Sequence, residues 1–223
     1  MRTSVRLAVQ GRLFAGDFEI HLTVDGTGDE LSGLEDFARA HGLKCAFIVL
    51  DRGRTPWQPM ITQRAQGTLA EAADSAEATA AGLSAAGFRV VRTKVEATPW
   101  SDGVPRDDSA ARSLPGDQYF EHHVKLLLPA DAELAALARL AERHGAHVSR
   151  NARRRRDDGP AERFVTQRCR GVGDTTASCR LSDLTAELTA AGWEIISSER
   201  EFVVYDSAQA LDAGWIREAE AAR

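Results

Sequence analysis

The feature that most constrains this chain is that it is written twice. LEDFARAHG (34–42) matches LARLAERHG (137–145), ITQR (61–64) matches VTQR (165–168), and GLSAAGF (82–88) matches ELTAAGW (187–193). EIHLTV (19–24) is echoed by EHHVKL (121–126). The offsets climb in order: 102 residues from His21 to His123, 103 from Leu34 to Leu137, 104 from Ile61 to Val165 and 105 from Gly87 to Gly192. Scattered chance matches do not keep such a series; a duplication with single-residue insertions does. Each half then has roughly 100 residues in which to fold, enough for one small domain.

Both halves share one pattern of elements. In 18–24, Ile20, Leu22 and Val24 alternate with Glu19, His21 and Thr23, which predicts a strand with one apolar face. A helix is expected near 29–42, ending where Gly42 can take the left-handed cap. Strands at 43–50 and 59–66, an Ala-rich helix near 68–86 and a strand at 88–97 complete the first half. The second half gives strand 119–128, helix 131–144, strands 146–151 and 162–170, helix 177–191 and strand 193–205. This is βαββαβ twice, the order of a ferredoxin-like fold. The expected class is α+β, two tandem ferredoxin-like repeats in one chain, with their open sheets able to pack as a dimeric α/β-barrel-like pseudo-dimer. The expected divisions are a first repeat with N-terminal extension (1–98), a Pro/Gly/Asp/Ser-rich linker (99–118), a second repeat (119–206) and a helical tail (207–223) anchored by Leu211 and Trp215.

Composition narrows the function. A net charge of −5 argues against general nucleic-acid binding and confines that role to the basic hairpin at 150–156. Three cysteines without paired spacing favour neither a disulfide scaffold nor a structural zinc site. The N-terminus is too polar for a signal peptide and no apolar run reaches the roughly 20 residues of a spanning helix, so a cytoplasmic protein without a membrane partner is expected.

If the helices cover one face of each sheet, the other face collects the polar residues. In the first half these are Glu19, His21, Thr23, Thr62, Arg64, Lys94 and Glu96; in the second, Glu121, His123, Lys125, Thr166, Arg168, Glu199 and Glu201. First and last strands are neighbours in this fold, which sets His21 beside Glu96 and His123 beside Glu201. Such groups resist burial unless paired or bound to something. Arg64, Arg168 and Lys125, with Thr62 and Thr166, are suited to hold a small phosphate- or carboxylate-bearing ligand. His21 and His123 would be acid and base if the ligand is turned over, oriented by Glu19, Glu96, Glu121 and Glu201. The competing reading is a non-catalytic module for a protein or RNA partner. The third strand leaves Gln63 and Gln167 on the helix side, which requires buried amides bonded to neighbouring backbone.

Three families share parts of this pattern. His21-Leu22-Thr23 resembles the His-x-Thr signature of two-histidine phosphoesterases, which implies phosphodiester cleavage; the second half has Lys125 where Thr belongs. His21, Glu96, His123 and Glu201 resemble the ligand set of vicinal oxygen chelate enzymes, which implies a divalent metal cofactor, although each half here carries an extra helix. Glu121-His122-His123-Val124-Lys125 is similar to the opening motif of triphosphate-tunnel enzymes, without its middle acid.

The remaining features have structural readings. His41 and His144 end equivalent helices and suit the C-terminal dipole. His122 shares a face with Val124 and Leu126 and belongs to the core. Arg153–Arg156 and the counterpart Arg52 and Arg54 form basic hairpins, either solvated or drawing in anions. Gly171-Val172-Gly173 before a helix offers an anion-binding turn. Nothing near Cys169 and Cys179 marks a redox pair.

Overall fold

In a computed structural model, residues 4–27, 31–152 and 161–215 are described; Arg153–Arg156 and the end of the tail lie outside them. The elements are α1 (Val5–Ala8), β1 (Ala15–Val24), α2 (Ser32–Ala40), β2 (Lys44–Leu50), β3 (Trp57–Thr68), α3 (Leu69–Ala85) and β4 (Val90–Ala97), then α4 (Asp108–Arg112), β5 (Tyr119–Leu128), α5 (Leu134–Arg143), β6 (Ala146–Asn151), β7 (Ala161–Arg170), α6 (Asp174–Ala190) and β8 (Glu194–Asp206). A 3-10 turn, Gln209–Asp212, follows. The βαββαβ order thus occurs twice, and the strand neighbours run β2-β3-β1-β4 in the first set and β6-β7-β5-β8 in the second. That is the α+β, ferredoxin-like topology.

The chain divides into two units that do not follow the halves strictly. One holds residues up to Phe47, Trp57–Val104 and Phe202–Gln209; the other holds Ile48–Pro56, Pro105–Glu201 and the segment from Ala210. In the first unit, β4 pairs with the end of β8, Val95 with Tyr205 and Glu96 with Val203. In the second, the end of β2 pairs with β6, Ile48 with Asn151 and Leu50 with Ser149.

Each sheet buries its apolar face under helices. In the first unit Phe18, Ile20, Leu22, Ile61 and Val95 are buried with Leu69, Ala72, Ala73, Ala76 and Leu83 of α3. In the second, Val124, Leu126, Leu128, Val148 and Val165 form one cluster with Leu137, Leu140, Leu181, Leu184 and Leu188. A fully buried side chain of this size stabilises by about 1.5–3 kcal/mol, so these rows fix which face of each strand turns inward. A one-residue slip would exchange the faces.

Gln63 and Gln167, both buried, find different partners. Gln167 Nε2 donates to the His144 and Arg180 carbonyls at 2.9 and 3.3 Å, the backbone solution expected for it. Gln63 instead bonds side chains of α3: its Nε2 donates to Ser75 Oγ at 3.1 Å and its Oε1 accepts from Thr79 Oγ1 at 2.5 Å.

Helix ends follow local chemistry. Gly42 and Gly145, after α2 and α5, have φ of +66° and +63°, which favours glycine. The Thr68 side chain accepts from the Glu71 N–H and the Glu71 carboxylate accepts from the Thr68 N–H, a capping box at α3. The start of α6 is closed by the chain itself. The N–H of Gly173 donates to Asp108 Oδ1 at 2.9 Å, and that of Asp174 to the Pro105 carbonyl at 2.9 Å. The anion expected at the Gly-Val-Gly turn is therefore the protein's own Asp108.

Candidate functional site

β1 lies between β3 and β4, and its register fixes the polar row of the first unit. His21 is opposite Thr62 on one side and Lys94 on the other; Glu19 is opposite Arg64 and Glu96. His21 Nδ1 is 2.8 Å from Thr62 Oγ1, and its Nε2 is 2.7 Å from Glu96 Oε2. The other Glu96 oxygen receives Lys94 Nζ at 2.8 Å. A carboxylate at Nε2 requires the proton there in the neutral ring, so Nδ1 accepts from the Thr62 hydroxyl. Glu96 is fully buried, while 18% of the His21 side chain is exposed. Further along β4, Arg92 holds Asp206 with Nε–Oδ1 at 2.9 Å and Nη2–Oδ2 at 2.5 Å. Arg64 is exposed and has no ion pair with a described residue, and Glu19 meets Lys44 Nζ at 3.8 Å.

The second unit repeats the imidazole and changes its surroundings. β5 and β7 set His123 opposite Thr166 and Glu121 opposite Arg168. His123 Nδ1 is 3.1 Å from Thr166 Oγ1, and its Nε2 is 3.4 Å from both Glu121 Oε1 and Glu201 Oε2. Burial works to lower the His123 pKa, but the carboxylates of Glu121 and Glu201 outweigh it and raise it to about 10. At neutral pH the ring is an imidazolium. Arg168 is buried, donating Nε to Glu121 Oε2 at 2.5 Å and Nη2 to Asp212 Oδ2 at 2.6 Å. Its guanidinium also lies over the rings of Tyr119 and Trp215, 5.1 and 5.8 Å from their centroids. Lys125 Nζ is 2.8 Å from Glu162 Oε2.

The structure thus brings His21 to Glu96 and Thr62, and His123 to Glu121, Glu201 and Thr166. The matching arginines have unlike environments: Arg64 faces solvent, whereas both ends of the Arg168 guanidinium are occupied. Asp212 and Trp215, which strand alternation does not single out, complete this network. Their only signal was a short acidic and apolar stretch, LDAGW, in the tail.

His41, His144 and His122, read as structural, have local partners. His41 Nδ1 is 2.8 Å from the Phe37 carbonyl, and the ring stacks on Phe37. His144 Nε2 is 2.5 Å from Glu187 Oε2. His122 is fully buried with Nδ1 3.0 Å from Gln167 Oε1, and burial lowers its pKa. The basic hairpin of the first half is tied down: Arg52 donates Nε to the Trp215 carbonyl at 3.0 Å and Nη2 to His147 Nδ1 at 2.7 Å, and pairs with Glu142. Burial raises the Cys169 thiol pKa, which disfavours the reactive thiolate.

No protein family and no curated protein matches this chain in sequence. Among solved structures it is similar to the acetolactate synthase small subunit from Thermotoga maritima, at 12% identity and a TM-score of 0.31, over 85% of this chain and 95% of that one. That distance transfers neither a function nor site residues. No helix among the described residues is long and apolar enough to cross a membrane.

Proposed function

We propose that the polar sheet faces bind a small ligand carrying phosphate or carboxylate, and that the chain arose by tandem duplication of one ligand-binding ferredoxin-like unit. The observation that carries the reading is the burial of so many ionisable groups on the face opposite the helices. Glu96, Glu121, Arg92 and Lys94 are buried and only 7% of the Arg168 side chain is exposed, whereas a solvated sheet face would leave such side chains in water. Taking charges from water costs several kcal/mol per ion before pairing returns any of it, and well-packed apolar residues serve stability as well or better. Charges kept there favour a role in recognition.

Within this reading Arg64 and Thr62 contact the anion in the first unit, and Thr166 and Lys125 in the second. Arg168 holds Glu121 in position. His21 and His123, backed by Glu19, Glu96, Glu121 and Glu201, are the groups able to move a proton if the ligand is turned over. A cytoplasmic setting belongs to the same proposal.

The test is a thermal-shift screen of phosphate- and carboxylate-bearing small molecules, a cyclic phosphodiester among them for the His21-Leu22-Thr23 signature, followed by calorimetry. Arg64→Lys keeps the charge but loses the planar two-pronged donor, so affinity should fall about tenfold. Unchanged affinity in Arg64→Lys would remove Arg64 from the site. No stabilisation by any compound would remove the ligand.

A further inference from the structure

The matching arginines differ in what answers their charge. Arg64 and Arg168 hold one register position, opposite Glu19 and Glu121 respectively. Arg64 is exposed and makes no ion pair with a described residue. Only 7% of the Arg168 side chain is exposed, and Glu121 occupies its Nε at 2.5 Å. The other edge of the guanidinium meets a carboxylate from outside the strands. That group is Asp212, 4% exposed, with Oδ2 at 2.6 Å from Nη2. The rings of Tyr119 and Trp215 flank the guanidinium, their centroids 5.1 and 5.8 Å away.

One carboxylate is enough to neutralise a guanidinium, and Glu121 already supplies it. A second acid taken out of water at the same place is costly unless it does more than balance charge. The segment that carries Asp212 is fastened within its own unit by bonds that need no acid at that position. Trp215 Nε1 donates to the Val148 carbonyl at 3.1 Å, and Arg52 Nε to the Trp215 carbonyl at 3.0 Å. The Arg54 N–H donates to the Ala213 carbonyl at 2.9 Å. These bonds hold a carboxylate against Arg168. Beyond its Cα, Asp212 is CH2–COO−, the size of acetate. A guanidinium edge between aromatic rings is suited to hold such a group.

We propose that the Nη2 edge of Arg168 is a carboxylate-binding seat held shut by the chain's own tail, with Asp212 as its internal ligand. A tethered carboxylate acts at an effective concentration of about millimolar or above, so a weakly bound free carboxylate does not displace it. The tail is thus an autoinhibitory contact. Arg168 takes a small carboxylate from solution when the Asp212 carboxylate is withdrawn, and not before. Reading Asp212 as a ligand mimic rests on the anion-binding proposal above, in which Arg64 is the open counterpart.

The test is chemical rescue in the full chain. Asp212→Ala removes the carboxylate and leaves room for formate. Formate should raise the melting temperature of Asp212→Ala saturably and recover about half or more of what the substitution lost. Sodium chloride at equal ionic strength should not. Formate should not raise the melting temperature of wild type, nor of Asp212→Asn, whose amide still fills the seat. If Asp212→Ala is unfolded without added anion, formate and not chloride should restore its native circular dichroism. No effect of formate, an equal effect of chloride, or an equal effect of formate on wild type overturns the seat. Rescue by formate when no compound binds wild type would overturn the ligand reading and leave the seat standing. A wild-type ligand without formate rescue would do the reverse.

Discussion

Two arginines at one register position have become different instruments. Arg168 is clamped by Glu121 and Asp212, so Asp212→Ala leaves a buried guanidinium half-paired and should destabilise by about 2–3 kcal/mol in denaturant unfolding. Arg64→Lys should change stability by no more than about 0.5 kcal/mol, because Arg64 is exposed. Equal effects at the two positions would contradict this division. His123 sets a pH signature. Its pKa rises on folding from an ordinary value near 6.5 to about 10. Protonation therefore favours the folded state: the contribution is fully present below about pH 6.5 and is lost as pH rises towards 10. Melting temperatures measured with chelator present should fall more steeply over that interval in wild type than in His123→Gln. Parallel curves would show that the ring is not held charged. The sequence indicated that His21 and His123 would meet Glu96 and Glu201, because period-two alternation and strand order determine those neighbours. It did not indicate that Arg168 would be capped by Asp212, since a loop contact 44 residues away has no periodicity to reveal it.

At the scale of elements, the segment 105–108 substitutes for a side-chain cap on α6. A Cβ at Gly173 would come within 2.3–2.5 Å of the Asp107 backbone, although its φ of −83° suits any residue. Gly173→Ala should therefore act sterically, displacing the segment and uncapping the helix at a cost of about 2 kcal/mol. Unchanged stability would mean that the segment gives way freely. Strands and long helices were legible because alternation and helical spacing run over many residues: β5 and β6 occupy the ranges expected for them. The short helices α1 and α4, four and five residues long, were not expected. Helix α1 docks against α3 and buries Val5, whereas α4 buries no residue and rests on its cap. The Asp107 side chain caps α4 by accepting from the Ala110 N–H at 2.9 Å.

For the whole molecule, the internal repeat showed the two sets of βαββαβ elements but not how the chain is apportioned. Ile48–Pro56 belongs with the second unit and Phe202–Gln209 with the first. A sequence match aligns equivalent positions and carries no information about which neighbours a strand end joins. Cutting the chain after Val104 would strip the first fragment of Asp206, the buried partner of Arg92, and the second of Arg52, which holds the Trp215 carbonyl. Fragments 1–104 and 105–223 should each be poorly folded when expressed alone and should recover native circular dichroism when co-expressed. Two independently stable fragments would contradict this apportionment. Reciprocal ownership of strand ends also has a genetic consequence. A freshly duplicated gene can lose either half without harm to the other, but once each half completes its fold with a segment encoded in the other, deletion of one removes both. Under the duplication proposed above, neither half could then be lost alone, whatever advantage first favoured the second copy.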